Sequence, residues 1–399
     1  MPVRVYAGFD KLPESYEKFF REIGRDNFFL SLNWFRNLVG TALDPDAELR
    51  LYAVERDDSG ATPLALLVAC APAGRDGSIF SGRWIGRHTL SAMTNYQSIE
   101  FAPLISPDLK DPSGPLRELI AYLCAERPRW SLIDFNLLDP QAPWFKLLSD
   151  NFADAGMVVR PYFYAGKRFE PTEGLSFQTY IANRSNNERK GIRRHKRQLE
   201  EKHRVRLEIV TGPESLDEAI AAYEQVLAAS WKQPEPFPRY AAGLIRALAE
   251  SHALRLGLFY VDDQPVATQI WVVAGSKATI YKLHFHESYK RYSVGSILTA
   301  HMMEHALEVD RIQEVDFGLF DGPHKMAWMT KLREVHGLAA FNPRKAWGVA
   351  ALLRFDSGKM ARVLLKKAKP VLKSVYAMIR RSAMSPKIFL ILHGLLGTR

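Results

Sequence analysis

The chain of 399 residues is long enough for two or three domains, each with its own hydrophobic core. Its composition, 47% hydrophobic and 25% charged residues, is that of a globular protein and excludes disordered and collagenous classes. Two cysteines, Cys70 and Cys124, exclude a disulfide framework and indicate a reducing compartment. The sequence shows neither a metal-ligand cluster nor a signal-peptide pattern, so we expect a cytoplasmic protein without a metal.

The first part of the chain alternates helix and strand patterns. Helices are predicted at 15–22 and 32–43, and a hairpin joins strands 49–56 and 63–72 across the turn 57–60. Residues 74–114, rich in Gly and Pro, are predicted as an insertion, in which Asn95, Tyr96, Gln97 and Glu100 line a pocket or a surface loop. Helices at 116–126 and 144–155 then alternate with strands at 130–137 and 157–169. This order indicates an α+β, mixed α/β architecture around a central sheet.

A faint internal repeat predicts two copies of one structural unit. LRL followed by DD begins at residues 49 and 254, and DFxLxD begins at residues 134 and 316. We therefore expect a first unit over 1–165, a second over 166–350 and a tail over 351–399.

A strongly basic segment lies between the two copies. Residues 183–206 hold ten Lys and Arg, two His and three Glu, without the interleaved aromatic residues that nucleic-acid binding favours. Two interpretations remain. The segment is a solvated helix, or a helix that binds the phosphate of a coenzyme, of a carrier protein's phosphopantetheine or of a lipid headgroup.

The second copy is predicted as strand 206–211, helix 216–231, a proline-rich turn at 233–238, helix 239–251 and a hairpin at 253–274. Trp231, just before the turn, is either a wall of the site or a core residue.

The strand predicted at 277–286 carries titratable side chains. Strict alternation places Ile280, Lys282, His284 and His286 on one face, and Thr279, Tyr281, Leu283 and Phe285 on the other. Charged and imidazole groups are costly to bury without a function, so this face indicates either a site or a half-exposed edge strand.

A helix predicted to start at Ser293 follows this strand across a turn that contains Gly295 and Ser296. The N–H groups at such a helix start can bind phosphate, and Arg291 supplies a cation beside it. An ordinary turn is the alternative.

This order of strand, turn and helix, followed by the VDFGLFDG segment at 315–322 and Lys325, resembles the GNAT superfamily over about residues 170–345. More narrowly it is similar to the double-domain branch of FemAB-like and CelD-like transferases. The resemblance implies tandem GNAT-like units and transfer of an acyl group from a thioester. Only one glycine of the family's turn is present, which leaves open acyl-CoA, an acyl carrier protein or an aminoacyl donor. No tightly bound cofactor is expected.

Attack of an amine on a thioester needs a base and an oxyanion site. The candidates for the base are His284 and His286, with Glu287 adjacent and Asp316 orienting one histidine or the amine. Donor binding is predicted for the remaining site residues: Lys282, Arg291, Ser293, Gly295, Ser296 and Lys325. No nucleophilic Ser or Cys arrangement is evident, so direct transfer is expected.

The tail carries the whole net charge of +10, because residues 354–399 contain eleven Lys and Arg against one acid, Asp356. Apolar residues recur there at three- and four-residue spacing, which predicts a basic amphipathic helix on an anionic membrane or on the protein itself. We expect residues 358–399 to hold the protein on the inner face of the cell membrane. An amine acceptor there indicates an amino-lipid such as a sphingoid base. The alternatives are acylation of an exopolysaccharide sugar, FemAB-like aminoacyl transfer and an inactive membrane scaffold. Of these, only aminoacyl transfer would involve tRNA. The oligomeric state is left open.

Overall fold

The computed structural model describes residues 1–43, 47–56, 61–71, 88–230 and 235–358. The predicted tail beyond residue 358, Trp231 and the hairpin turn 57–60 lie outside these described residues. In the described part, no helix is both long enough and apolar enough to cross a membrane.

The N-terminal half of the sheet comprises the first six strands: β1 (Val3–Tyr6), β2 (Glu48–Glu55), β3 (Pro63–Ala71), β4 (Thr89–Ala92), β5 (Leu104–Ile105) and β6 (Leu132–Leu138). Its helices are α1 (Ser15–Asp26), α2 (Leu32–Ala42), α3 (Ser113–Ala125) and α4 (Pro143–Asp154). Local sequence explains two helix starts. The Ser31 hydroxyl accepts a hydrogen bond from the Trp34 N–H at 3.1 Å before α2, and Pro143 opens α4.

The linking segment contains β7 (Val158–Pro171), α5 (Phe177–Ala182) and α6 (Asn186–Glu200). The C-terminal half follows with β8 (Val205–Val210), α7 (Leu216–Ala228), α8 (Tyr240–Glu250), β9 (Leu254–Val261), β10 (Gln264–Ala274), β11 (Lys277–Phe285), α9 (Val294–Glu308), β12 (Glu314–Leu319) and α10 (Pro323–Met326). The last strand is β13 (Lys331–Phe341). Short 3-10 helices cover Phe9–Lys11, Phe28–Leu30 and Glu287–Tyr292.

All described strands belong to one mixed sheet. The strand order is β1-β2-β3-β4-β6-β13-β7-β12-β11-β10-β9-β8, with β5 paired to β3. Only β4–β6 and β11–β12 are parallel among the described pairs, and a helix crosses between the strands in each case. The mixed sheet with helices confirms the predicted fold class.

The two halves exchange strands at their junction. β13 pairs with β6 of the N-terminal half, Phe341 lying opposite Leu132, and on its other side with β7. β7 in turn pairs with β12 of the C-terminal half, Phe169 lying opposite Asp316. The strand β7, which follows the N-terminal half in sequence, therefore extends the sheet of the C-terminal half. The last strand, β13, extends the sheet of the N-terminal half.

The internal repeat corresponds to equivalent positions in the sheet. Asp134 lies opposite Ser91 in the last residue pair of the parallel strands β4 and β6. In the same way, Asp316 lies opposite Thr279 in the last residue pair of β11 and β12. β4 lies inside the segment 74–114 that the sequence predicts as an insertion, and it supplies a strand of the sheet between β3 and β6.

Four hydrophobic clusters hold the layers together. The largest lies between the two halves, where α1, α2, α7 and α8 pack on the sheet around Trp34 and Tyr240. Two others lie beneath α3 and α4 and beneath α5, α6 and α9. The fourth holds residues 346–358, which are helical, through Phe355. Arg160 fixes the same helix by a two-pronged ion pair with Asp356, at 3.1 Å for each bond.

Candidate active site

The strands β11 and β12 separate soon after they meet. They pair over only three positions, from Lys277 opposite Glu314 to Thr279 opposite Asp316, and then continue without a mutual register. The β12-facing edge of β11 therefore presents backbone N–H and C=O groups that an extended ligand chain can pair with.

A bulge in β11 changes the predicted alternation. Lys282 and Ile280 pair with consecutive residues of β10, so Tyr281 between them has no partner in the register. Tyr281 packs into the core between the halves, with the Lys282 Nζ 5.8 Å from its ring centroid, whereas Leu283 and Phe285 pack beneath α9. Both predicted faces are therefore wrong across the bulge, which adds one residue to the strand: Ile280 packs on the same side as Leu283 and Phe285, and Tyr281 packs on the other.

The start of α9 lies beside the gap. Ser293 is the N-cap residue as predicted, but its backbone is left-handed, with φ of 52°, and its side chain makes no capping bond. Instead the Ser296 N–H donates to the Ser293 carbonyl at 2.9 Å. Gln269 holds the same turn, since its Nε2 donates to the Gly295 carbonyl at 3.0 Å and the Thr299 hydroxyl at 2.7 Å. Free N–H groups at the start of a helix can bind phosphate.

A cavity of about 760 Å³ occupies the gap between the separated strands. Its volume is in the range of sites for small ligands and cofactors. It is lined by Ser230, Glu235, residues 280–285, Lys290, residues 293–296, Thr299, Phe317, His324, Lys325 and Trp328.

Six of the ten predicted site residues line this cavity together: Lys282, His284, Ser293, Gly295, Ser296 and Lys325. His284 is buried, and its Nε2 lies 3.2 Å from the Tyr223 hydroxyl. Lys325 donates from its Nζ to the Leu319 carbonyl at 2.5 Å and lies over the Phe317 ring.

The other four predicted residues are not among the lining residues. The His286 Nδ1 lies 3.3 Å from the Ser288 N–H and caps the 3-10 helix. Glu287 pairs with Lys290 at 3.1 Å on the surface, and the exposed Arg291 lies 4.7 Å from the ring centroid of its neighbour Tyr292. Asp316, the fourth, is fully buried below the cavity lining.

A polar wall of the cavity comes from both halves of the sheet. Glu235 pairs with Lys282 inside the wall, and the Gln97 Nε2 reaches the Glu235 carboxylate at 3.4 Å. The Tyr281 hydroxyl donates to the Gln97 carbonyl at 2.7 Å and lies 2.6 Å from the Tyr240 hydroxyl. Burial lowers the pKa of Lys282 although Glu235 opposes the shift. Gln97, from the segment predicted as pocket or loop, thus reaches the cavity wall.

A buried charge cluster marks the point where β11 and β12 separate. The Asp316 carboxylate lies 3.1 Å from the Lys167 Nζ and 3.4 Å from the Lys277 Nζ. Lys167 also lies 3.4 Å from Glu100, whose carboxylate accepts a hydrogen bond from Asn27 at 2.7 Å. Burial alone would raise the pKa of Asp316, but the two lysines outweigh it and hold this pKa below its usual range.

Sequence patterns did not identify Glu235, Tyr223 or Gln97 as a group. Glu235 belongs to the predicted proline-rich turn at 233–238, which shows no catalytic pattern, and Tyr223 lies within an ordinary apolar helix pattern. The buried pairing with Lys282 depends on the tertiary fold, and no local spacing encodes it.

Comparisons with known proteins agree with this geometry. Residues 186–326, which contain α6, the separated strands and α9, match the family model described as an acetyltransferase (GNAT) domain. No curated protein sequence matches the chain significantly.

Solved structures share the fold over most of the chain. FemX is 11% identical with a TM-score of 0.56, covering 88% of this chain and 100% of its own. The C-terminal domain of a putative lysylphosphatidylglycerol synthetase from Agrobacterium fabrum is 15% identical with a TM-score of 0.51, covering 86% and 97%. A conserved protein of unknown function from Bacteroides thetaiotaomicron is 12% identical with a TM-score of 0.51, covering 86% and 100%. Residues 186–326 therefore form a GNAT acyltransferase domain, and the chain as a whole shares the double-domain fold of FemX, as the resemblance predicts.

Proposed function

We propose that this acyltransferase moves an acyl group from a thioester to the amine of a membrane amino-lipid, such as a sphingoid base, giving a ceramide-type amide. The observation that carries the proposal is the single cavity that joins the α9 N-terminus to the buried His284 and Glu235. The α9 N-terminus suits the phosphate of a donor, and the two buried side chains suit proton transfer from an amine.

The donor enters along β11. The GNAT fold uses a coenzyme A thioester without a tightly bound cofactor, and the first turn of α9 with Lys290 and Lys325 places positive charge where its phosphates would lie. The unpaired edge of β11 would bind the extended arm, and its N–H groups would stabilise the oxyanion. An acyl carrier protein thioester presents the same arm.

The acceptor enters as an ammonium ion, and Glu235, which pairs with Lys282 beside the Tyr240 and Tyr281 rings, lines the cavity that this cation would enter. His284 removes one proton, and the free amine attacks the thioester carbonyl. The C–S bond then breaks as the C–N bond forms, and the leaving thiolate takes up the second proton that the nitrogen loses on becoming an amide. His286 takes no part in this scheme because it caps the 3-10 helix.

Membrane attachment is the second part of the proposal. The helix over residues 346–358 leads into the basic tail, and its Trp347 is 70% exposed and its Leu353 66% exposed. Such residues enter a lipid interface readily. Deleting residues 358–399 should release the protein from anionic liposomes in a flotation assay while its melting temperature stays unchanged. Full binding by the truncated protein would contradict this part.

An acceptor panel separates the amino-lipid from its alternatives. The purified protein would be incubated with hexadecanoyl-CoA and, in turn, a sphingoid base, an amino sugar and a neutral oligosaccharide, with mass spectrometry of the products. The fold of FemX and of a domain named for a lysylated lipid supports including aminoacyl donors as a separate arm. Amide formation on the sphingoid base alone supports the proposal. Transfer only to sugars, only from aminoacyl donors, or to no acceptor at all contradicts it.

The two histidines provide a matched pair for the base. His284→Ala should lower kcat by about 10²- to 10⁴-fold, the usual contribution of a general base, and the loss should shrink at high pH where the amine is already free. His286→Ala, nearby but outside the cavity lining, is the control and should retain activity within a few fold. Equal effects of the two substitutions would remove His284 from the role.

A further inference from the structure

The helix α6 carries more positive charge than the described chain neutralises. It holds six Lys and Arg against two Glu. Lys196 and Arg197 pair with Glu200 and Glu201 one turn later. The four cations at 189, 190, 193 and 194 have no carboxylate partner within the described residues, and the pairs 189/193 and 190/194 place like charges on neighbouring turns. Such spacing destabilises a helix, so an external anion would relieve it.

This charged face lies beside the entrance to the catalytic cavity. α6 packs against α9 and against the 3-10 helix Glu287–Tyr292, whose Lys290 lines the cavity. Its inner side is fixed by Leu199, which is fully buried. Between α6 and α9 lies a smaller cavity of about 210 Å³, lined by apolar residues, by Arg189, Arg193 and Lys196 of α6, and by Gln178, His301 and Glu304, so its cations outnumber its one carboxylate.

The extent of the charge indicates what would bind there. From Arg189 to Arg197 the helix rises about 12 Å, which is longer than one phosphate group. The outer face of α6 contains no exposed large apolar residue to enter a bilayer, since its Ile192 packs inward and Leu199 is buried. It also contains no aromatic residue on which a nucleic-acid base could stack. An extended acidic protein surface agrees with all three observations.

We propose that α6 is a docking surface for an acidic acyl carrier protein, which delivers the thioester on its phosphopantetheine arm. The inference rests on the proposed function, because it assumes a thioester donor. Carboxylates of the carrier would pair with the four free cations, and one apolar side chain would enter the 210 Å³ cavity. The arm would then pass Lys290 into the larger cavity.

The test uses the full chain and one acyl group carried in two ways, as hexadecanoyl-CoA and as a hexadecanoyl acyl carrier protein. Lys190→Glu/Arg193→Glu reverses two exposed cations of α6. Arg21→Glu/Arg36→Glu makes the same charge change on exposed positions of α1 and α2 and is the matched control. Binding of a fluorescently labelled holo-carrier, followed by anisotropy, gives a readout independent of catalysis.

The α6 variant should lose about tenfold or more in kcat/KM with the carrier-bound donor and in carrier affinity, while kcat/KM with the CoA donor stays within about twofold. Added salt should reduce the wild-type preference for the carrier in the same way. The control variant should behave as the wild type.

Several results would overturn the docking surface. Equal losses with both donors would assign α6 to the phosphates of the coenzyme, and no loss with either would leave it a solvated helix. Binding of anionic vesicles or RNA through Lys190 and Arg193, with no carrier binding, would assign another partner. Turnover of the CoA donor without carrier binding would refute docking and leave the proposed function standing. Carrier binding without turnover of either thioester would support docking and refute the proposed function.

Discussion

Replacing Lys167 by Met removes a cation from the interior of the protein, where it holds two carboxylates. The side chain of Lys167 is 4% exposed and that of Asp316 is fully buried, 3.1 Å away. Removing one partner of a buried pair typically costs about 3–5 kcal/mol, because the other charge stays buried without compensation. Lys277, 3.4 Å from Asp316 and 30% exposed, still offsets part of that charge. We therefore expect the lower end, a loss of about 3 kcal/mol in the free energy of unfolding.

The effect of Lys167→Met on stability should also depend on pH. The pKa of Asp316 lies below that of an ordinary carboxyl because the lysines outweigh its burial, so its contribution to stability is present above about pH 4 and lost as pH falls through the lower folded value. Without Lys167 this pKa rises, so the variant should lose less stability than the wild type as pH falls through this range. The difference in the free energy of unfolding between the variant and the wild type should therefore be smaller in acid.

Urea denaturation at pH 7 and at about pH 3, followed by circular dichroism and tryptophan fluorescence, measures both effects. Lys146→Met is the control, since the Lys146 side chain is 81% exposed in its pair with Asp150 and should tolerate the change. The double variant Lys167→Met/Asp316→Leu should be less destabilised than Lys167→Met alone, because no carboxylate remains unpaired at position 316. A loss for Lys167→Met below about 1 kcal/mol, or no different from the control, would refute the reasoning.

Three further substitutions probe the site and its support. Gln269→Ala removes two hydrogen bonds to the first turn of α9, and steady-state kinetics should show KM for the thioester rising about tenfold with KM for the acceptor unchanged. Glu235→Gln removes the charge that opposes the burial of Lys282, so the pKa of that lysine should fall further and KM should rise for the acceptor alone, as a pH profile would reveal. Gly348→Ala places a Cβ 2.2 Å from the Asn342 carbonyl, so the helix over 346–358 should shift and the melting temperature should fall by several degrees; an unchanged melting temperature would contradict this contact.

Much of the fold could be predicted because the elements have strong local patterns. The strand predicted at 277–286 is β11 at Lys277–Phe285, and the DFxLxD repeat marks equivalent ends of two parallel pairs. Both follow from period and turn chemistry, which act over a few residues. The resemblance to the double-domain GNAT branch rests on the same region and is confirmed.

The site was harder to predict because its geometry depends on partners distant in the chain. The bulge at Tyr281 arises from the register with β10, and it places Tyr281 beside Lys282 rather than opposite it. Glu235 is held in the cavity wall by contacts with Lys282 and Gln97, neither of which is near it in sequence. His286 has the same residue type as His284 and only the structure distinguishes a cap from a cavity residue.

The exchange of strands between the halves bears on how the polypeptide is synthesised. While the chain emerges from the ribosome, the open edges of β6 and β7 face each other across a gap, and β13, which fills it, begins only at Lys331. Neither half has all its neighbouring strands until that late segment has been synthesised. Two unpaired strand edges exposed for that interval are open to pairing with other nascent chains. For the same reason, neither half produced alone would have its full set of neighbouring strands.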